Sequence, residues 1–365
     1  MDYYTLGNTG LKVSRLVLGT MTFGDDWGWG ADEANARQLF DTYVEAGGNF
    51  IDTADLYTNG NSERMLGRFI RDSKSRDRIV ITTKFSYSAD PGNPNAGGNG
   101  RKNILRAVEG SLERLNTDYI DVYMLHTWDK ITPAAEVMRT LDDLVRSGKV
   151  RHVALSDAPA WYVAQAQTLA QERHWEPIST VQLEYSLAER NIEFEYTALA
   201  KHLGTSLMVW SPLASGLLSG KYKPSEQGGE GTGRLAMLAD SGNPAFDKFT
   251  AKNWAIVAEL EQVAQALNRS MAQVALNWVV NRPAVASVII GATKLHQLQD
   301  NLGALEFDIP NELLLRLDTV SRPEIRFPYT FFEPSLQGMI TGGATIGDKP
   351  DSFNAPVLVE GAGVE

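Results

Sequence analysis

Short apolar runs alternate along this chain with longer stretches in which apolar residues recur every three or four positions. The runs at 15–18, 49–52, 79–83, 119–125, 150–155, 180–183, 206–210 and 287–290 predict strands. Several of them, such as Ile79-Val80-Ile81 and Val288-Ile289-Ile290, are apolar without interruption, as parallel strands covered on both faces are. Between them, 32–46, 62–70, 103–115, 134–147, 161–173, 193–202 and 294–302 predict helices. Within 103–115, for example, Ile104, Leu105, Val108, Leu112 and Leu115 form one stripe, and Arg106, Glu109 and Arg114 fall away from it. Gly47-Gly48 and Ser147-Gly148 stand where a helix must stop before the next strand.

About eight such units are what a (β/α)8 TIM barrel requires. A doubly wound sheet is the competing α/β architecture. Its phosphate fingerprint belongs in the first strand–helix turn, and Gly19-Thr20-Met21-Thr22-Phe23-Gly24 does not fit it. Gly231-Thr232-Gly233-Arg234-Leu235-Ala236 matches the loose form of the fingerprint but follows a loop instead of a strand. The expected architecture is a barrel domain over 1–322, opened by an N-terminal β-hairpin and carrying long loops at 85–100 and 212–249. A tail over 323–365, rich in aromatic residues at its start, is expected to pack partly over the active face.

Composition narrows the chemistry. The 365 residues carry 34 basic and 45 acidic side chains, a formal charge of -11, which disfavours nucleic acid and anionic membranes as partners. Cysteine is absent, which excludes disulfides, thiolate metal sites and a cysteine nucleophile. The first residues form no signal peptide, and no apolar run is long enough to cross a bilayer, so a cytoplasmic protein is expected. The sequon Asn268-Arg269-Ser270 therefore has no secretory context.

The strand pattern places Asp52, Lys84 and His126 at the ends of the second, third and fourth strands, with Tyr57 in the loop after Asp52. These ends share the catalytic rim of a barrel. A tyrosine's ordinary pKa near 10 makes it a poor proton shuttle. A neighbouring ammonium favours the phenolate, a carboxylate keeps that ammonium charged, and a histidine orients a substrate oxygen. Together they suit proton transfer to a carbonyl oxygen while another reagent delivers a hydride.

The chain is similar over almost its whole length to the aldo-keto reductase superfamily, in the bacterial branch akin to aryl-alcohol dehydrogenases and potassium-channel β subunits. The resemblance rests on Leu6-Gly7-Asn8-Thr9-Gly10-Leu11-Lys12-Val13-Ser14, Leu18-Gly19-Thr20-Met21, and Asn49-Phe50-Ile51-Asp52-Thr53-Ala54-Asp55-Leu56-Tyr57 with Ser62-Glu63. Thr83-Lys84 and Leu125-His126 complete it. It implies Tyr57 as general acid and base, Lys84 and Asp52 as the pair that tunes it, and His126 as the group orienting the carbonyl. It also implies NADP(H), with NAD(H) left open, bound across the barrel mouth.

By the same resemblance Gly19, Thr20 and Met21 border the cofactor, while Ser156, Asp157 and Gln182 hold its carboxamide. Asp157 stands where the family usually has asparagine. Trp210 stacks on the nicotinamide. Ser211, Pro212, Leu213, Ser215, Gly216 and Lys221 fold over the pyrophosphate, and Arg234 serves the adenine or 2′-phosphate end. Gly291, Thr293, Lys294, Gln297 and Asn301 form the adenosine-phosphate site, with Gln297 replacing an arginine common elsewhere. Phe23, Trp27, Trp29, Phe85 and Trp128 are expected to line an aromatic cleft for a bulky ring, such as an aryl, sugar or terpenoid carbonyl. No metal is expected, and either a monomer or a homo-oligomer suits the sequence. Two other readings remain open: a nucleotide-sensing regulatory subunit like the channel β subunits, and an unrelated barrel hydrolase.

Overall fold

The computed structural model describes residues 1–225, 229–238, 242 and 246–344. The chain divides into two compact units, Met1–Ser321 and Arg322–Glu365. In the first, β1 (Tyr3–Thr5) and β2 (Lys12–Ser14) pair as an antiparallel hairpin. Eight parallel strands follow: β3 (Leu16–Gly19), β4 (Phe50–Asp52), β5 (Val80–Phe85), β6 (Ile120–Leu125), β7 (Val150–Ser156), β8 (Ile178–Glu184), β9 (Ser206–Trp210) and β10 (Val285–Ile290). They close into a barrel, each beside its successor, with β10 returning to pair with β3. Every expected strand is present, displaced at its ends by a residue or two.

The expected helices are α1 (Glu33–Glu45), α2 (Asn61–Ser73), α3 (Arg101–Leu115), α4 (Ala134–Arg146), α5 (Ala160–Arg173), α6 (Tyr196–Leu203) and, later, α10 (Leu295–Leu302). Among the described residues, four further helices of this unit lie outside the pattern read from the sequence: α7 (Arg234–Leu238), α8 (Ala251–Leu267), α9 (Met271–Val280) and α11 (Asn311–Ser321). In α9 nearly every residue is buried, so no polar face exists to reveal a helical period. At its start Ser270 and Gln273 form a capping box.

Period-two alternation along the strands sorts side chains into two cores. One set fills the lumen: Val17, Phe50, Val80, Val122, Met124, Ala154, Met208 and Ala286, joined by Leu6 and Val13 of the hairpin. The other set, including Leu18, Ile51, Ile81, Phe85, Tyr123, Leu125, Leu155 and Val209, faces the helices. Close helix packing depends on Gly67 of α2, where a Cβ would come within 2.6 Å of the Leu115 carbonyl oxygen at the end of α3.

The second unit holds a short turn at Tyr329–Phe332 and helix α12 (Pro334–Ile340), with Phe327, Phe331, Phe332, Met339 and Ile340 exposed. Of the tail expected from 323 onward, residues 345–365 lie outside the described residues, as do 226–228, 239–241 and 243–245 of the long loop. No helix among the described residues is long and apolar enough to cross a membrane.

Candidate active site

The inward positions that are apolar deep in the lumen become polar at its C-terminal end. Asp52, Lys84, Ser156, Gln182 and Trp210 continue the parity of Phe50, Val80, Ala154 and Met208, and so converge on the barrel mouth. Lys84 Nζ lies at the centre. It donates to Asp52 Oδ2 at 2.6 Å, to the Thr53 carbonyl at 2.9 Å and to the Tyr57 phenolic oxygen at 3.2 Å. Across the barrel, Gln182 Nε2 donates to Asp52 Oδ1 at 2.9 Å, which fixes the second carboxylate oxygen. His126 follows β6, and its ring meets that of Tyr57 edge-on with centroids 5.8 Å apart.

Tyr57 is held by a strained turn. Thr58 and Asn59 adopt φ of 45° and 55°, a region that a β-branched residue rarely enters. Two bonds hold Thr58 there: its hydroxyl donates to the Phe23 carbonyl at 2.8 Å and accepts from the Ser62 backbone N–H at 3.0 Å. Such strain persists only where surrounding contacts over-determine it.

The electrostatics correct one expectation. Burial raises the Tyr57 pKa above its ordinary value by more than the Lys84 ammonium lowers it. Much of that ammonium's charge is already answered by Asp52. Burial pulls Lys84 down, yet Asp52 and Tyr57 together leave its pKa raised, so it stays charged. Burial raises Asp52 against the pull of Lys84 and Gln182. His126 is held well below its ordinary value, first by burial and then by Lys84, so its imidazole is neutral, with a buried Nδ1 that has no partner. The site therefore presents a protonated phenol and a neutral imidazole at neutral pH.

The residues expected at a cofactor fall into distinct roles. Ser156 Oγ is buried without a hydrogen-bond partner, and Asp157 beside it is exposed. Trp210 Nε1 donates to Asp157 Oδ1 at 3.1 Å. Lys221 Nζ lies over two glycines, 2.9 Å from where a Cβ on Gly216 would stand and 2.7 Å from one on Gly233, so any larger residue would displace it. Ser211 and Ser215 take positive φ, and Ser211 Oγ accepts from the Ser215 backbone N–H at 3.0 Å, shaping the loop with Pro212 and Leu213. These groups suit a primary amide at one end and a phosphate at the other.

Other expected contacts are committed within the protein. Thr20 Oγ1 donates to the Asp52 carbonyl at 3.1 Å, and Gly19 backs onto Ile289, while Met21 is half-buried. Gln297 Oε1 accepts from the backbone N–H groups of Thr293 and Lys294 at 3.0 and 3.2 Å, so the amide caps its own helix. Asn301 Nδ2 reaches the Gly291 carbonyl at 3.5 Å. Arg234 donates to Ser215 Oγ at 3.4 Å and lies over the Trp29 ring at 5.9 Å.

Two of the expected cleft aromatics lie elsewhere. Phe23 and Phe85 are wholly buried: Phe23 packs on Phe69, and Phe85 has the outward parity opposite to Lys84 and packs on Tyr123. Trp128 joins Trp161 and Tyr162 along a cavity of about 320 Å³ that also touches Ile131 and Pro133. Trp27 and Trp29 lie together, ring centroids 5.8 Å apart. The aromatic residue set against the quartet is Tyr87, half-exposed and edge-on to His126 at 5.0 Å. It lies in the loop after β5, beyond the strand, where strand parity no longer sets direction. Counting parity from Gln182 along β8 finds Glu184, which pairs with the buried Lys248 at 2.9 Å.

A phenol kept protonated beside an ammonium, with a neutral imidazole at its edge, equips the barrel mouth to exchange a proton with an oxygen atom. That chemistry and the single closed barrel define an oxidoreductase of the barrel class. The chain belongs to the aldo/keto reductase family, whose profile matches residues 15–322. It is 36% identical over 330 residues to an uncharacterized oxidoreductase, YrpG, of Bacillus subtilis (strain 168), covering 88% of this chain and 96% of the relative. An aryl-alcohol dehydrogenase of Pestalotiopsis microspora is 32% identical over 339 residues, covering 91% of this chain and 84% of its own. A probable voltage-gated potassium channel subunit beta of Oryza sativa subsp. japonica is 34% identical over 309 residues, 84% of this chain and 92% of that one.

Proposed function

We propose that the chain is an NADP(H)-dependent oxidoreductase interconverting aldehydes or ketones with alcohols, with Tyr57 as the general acid in reduction and the base in oxidation. The observation that carries this reading is the 3.2 Å contact from Lys84 Nζ to the phenolic oxygen inside a buried cluster. Lys84, anchored by Asp52, stabilises the phenolate left when the proton is given up. His126, neutral and with Nδ1 unpartnered, orients the substrate oxygen beside that phenol. The nicotinamide cofactor, when bound, supplies or accepts the hydride. Ser156, Asp157 and Gln182 would hold its carboxamide, Trp210 its ring face and Lys221 a phosphate. Trp27, Trp29 and Tyr87 give the cleft flat apolar walls, and the aryl-alcohol activity for which the Pestalotiopsis relative is named supports a ring-bearing substrate.

The test is a panel of carbonyls and alcohols followed through nicotinamide absorbance with each dinucleotide, over a pH series. Reduction needs Tyr57 protonated, so its rate is expected to hold through neutral pH and to fall only as pH rises through the phenol's raised pKa. Oxidation needs the phenolate and is expected to rise over the same range. A reduction rate that collapses between about pH 6 and 8, where an ordinary histidine titrates, would remove Tyr57 from the role. The rice relative supports a second reading, a nucleotide-sensing regulatory subunit. That reading predicts dinucleotide binding with no turnover across the panel.

A further inference from the structure

We propose that Asp157 poises the charge of the site: its carboxylate, held on the cleft floor by the Trp210 indole, makes the protein prefer the positively charged oxidised nicotinamide over the neutral reduced form. The inference rests on the reading above, in which the end of β7 meets the nicotinamide carboxamide.

The backbone at Asp157 is fixed from both sides. Its N–H donates to the Gln182 carbonyl at 3.2 Å, its own carbonyl accepts from the Trp128 N–H at 3.4 Å, and it adopts a φ of 42°. A residue other than glycine keeps such a φ only where neighbouring contacts impose it. The side chain is then set by the 3.1 Å bond from Trp210 Nε1. An indole N–H is a neutral donor, so this bond orients the carboxylate without cancelling its charge. The ammonium that acts on it, Lys84, is already committed to Asp52 at 2.6 Å.

The other charged or titratable groups that face Asp157 come from three elements: Glu184 of β8, Tyr57 after β4 and Tyr87 after β5. Glu184 adds negative charge and the two phenols are neutral, so none of them offsets the carboxylate. An asparagine here would offer the indole an acceptor of the same shape, through a neutral and weaker hydrogen bond. What an aspartate adds is one negative charge, and what separates the two forms of the nicotinamide ring is one positive charge. Desolvation pushes the Asp157 pKa up to about 6, with Trp210, Lys84 and the Ser156 side chain opposing and Glu184 adding to the rise. The charge is therefore present above that pH and lost below it.

The test titrates NADP⁺ and NADPH separately into the full-length chain, followed by tryptophan fluorescence, at about pH 5 and about pH 8 for the parent and for Asp157→Asn. In the parent, affinity for NADP⁺ is expected to weaken about tenfold relative to NADPH as the pH falls, the size of one unit of coupled pKa shift. In Asp157→Asn the affinity ratio is expected to move about tenfold toward NADPH at the higher pH and to be independent of pH. An unchanged ratio in the variant, or equal weakening of both forms, overturns the proposal and assigns the residue a hydrogen-bonding role alone. A parent ratio that ignores pH overturns it without recourse to the variant. Failure of the parent to bind either form overturns the nicotinamide reading, and this inference with it.

Discussion

Replacing Tyr57 by phenylalanine is expected to lower kcat for carbonyl reduction by about 10²–10⁴-fold, the usual worth of a positioned general acid, with dinucleotide affinity nearly unchanged. Phenylalanine keeps the ring that meets His126 edge-on and removes only the hydroxyl that accepts from Lys84 Nζ. The ammonium retains Asp52 and the Thr53 carbonyl, so it is not left stranded. The fold and the mouth of the barrel persist while the transferable proton is gone. Single-turnover measurement with a saturating aldehyde separates this loss from any change in product release. Turnover that drops by less than about threefold would show that the proton comes from another group.

The largest loss of stability is expected at a residue that touches no substrate. Glu63 is fully buried in α2, where Oε1 accepts from Thr83 Oγ1 and Oε2 accepts from Arg114 Nε, both at 2.6 Å. Glu63→Ala leaves a partly buried guanidinium and a buried hydroxyl without their acceptor, and is expected to cost about 3–5 kcal/mol. One effect opposes the loss. Asp55, pushed up to about 7 by burial and then by the nearby Glu63 charge, is relieved when that charge is removed. The cost is read as a lowered thermal midpoint and a lowered denaturant midpoint. Because Thr83 precedes Lys84, activity is expected to fall as well, and Glu63→Gln, which keeps an acceptor of the same shape, recovers part of both. An unmoved midpoint in the alanine variant would mean that Arg114 and Thr83 find other partners.

The barrel was legible because its strands are buried on both faces, and an unbroken apolar run as short as Ile79-Val80-Ile81 suits little besides a strand covered from both sides. Its first helices were legible for the opposite reason: α3 and α4 each set an apolar stripe against charge. The segment forming α9 gave no such contrast, since it is covered on nearly every side. At the site, Asp52, Tyr57, Lys84 and His126 stood out by chemical type and by their place at strand ends, and the structure brings them together. Two finer features depend on dimensions that residue type does not encode. Phe85 reads as a cleft residue because it is aromatic and adjacent to Lys84, yet in a strand the adjacent residue faces the other way. The pKa of Tyr57 follows from how deeply the phenol is buried and how completely Asp52 answers Lys84, and neither depth nor distance is written in the order of residues.

The oily packing of the lumen carries a further consequence for turnover. Beneath Lys84 and Gln182 the bore is stoppered by Phe50, Val80, Val122, Met124 and Met208, with Leu6 and Val13 in the same cluster. Such packing disfavours a relay for a hydron from the bottom of the cylinder, and the Thr82 hydroxyl, set between Val80 and Lys84, is buried with no partner to pass one on. Each one spent at the phenol is therefore expected to be refilled from above, along the same doorway that admits the reactants. Recharging the acid and clearing the product thus share a single exit.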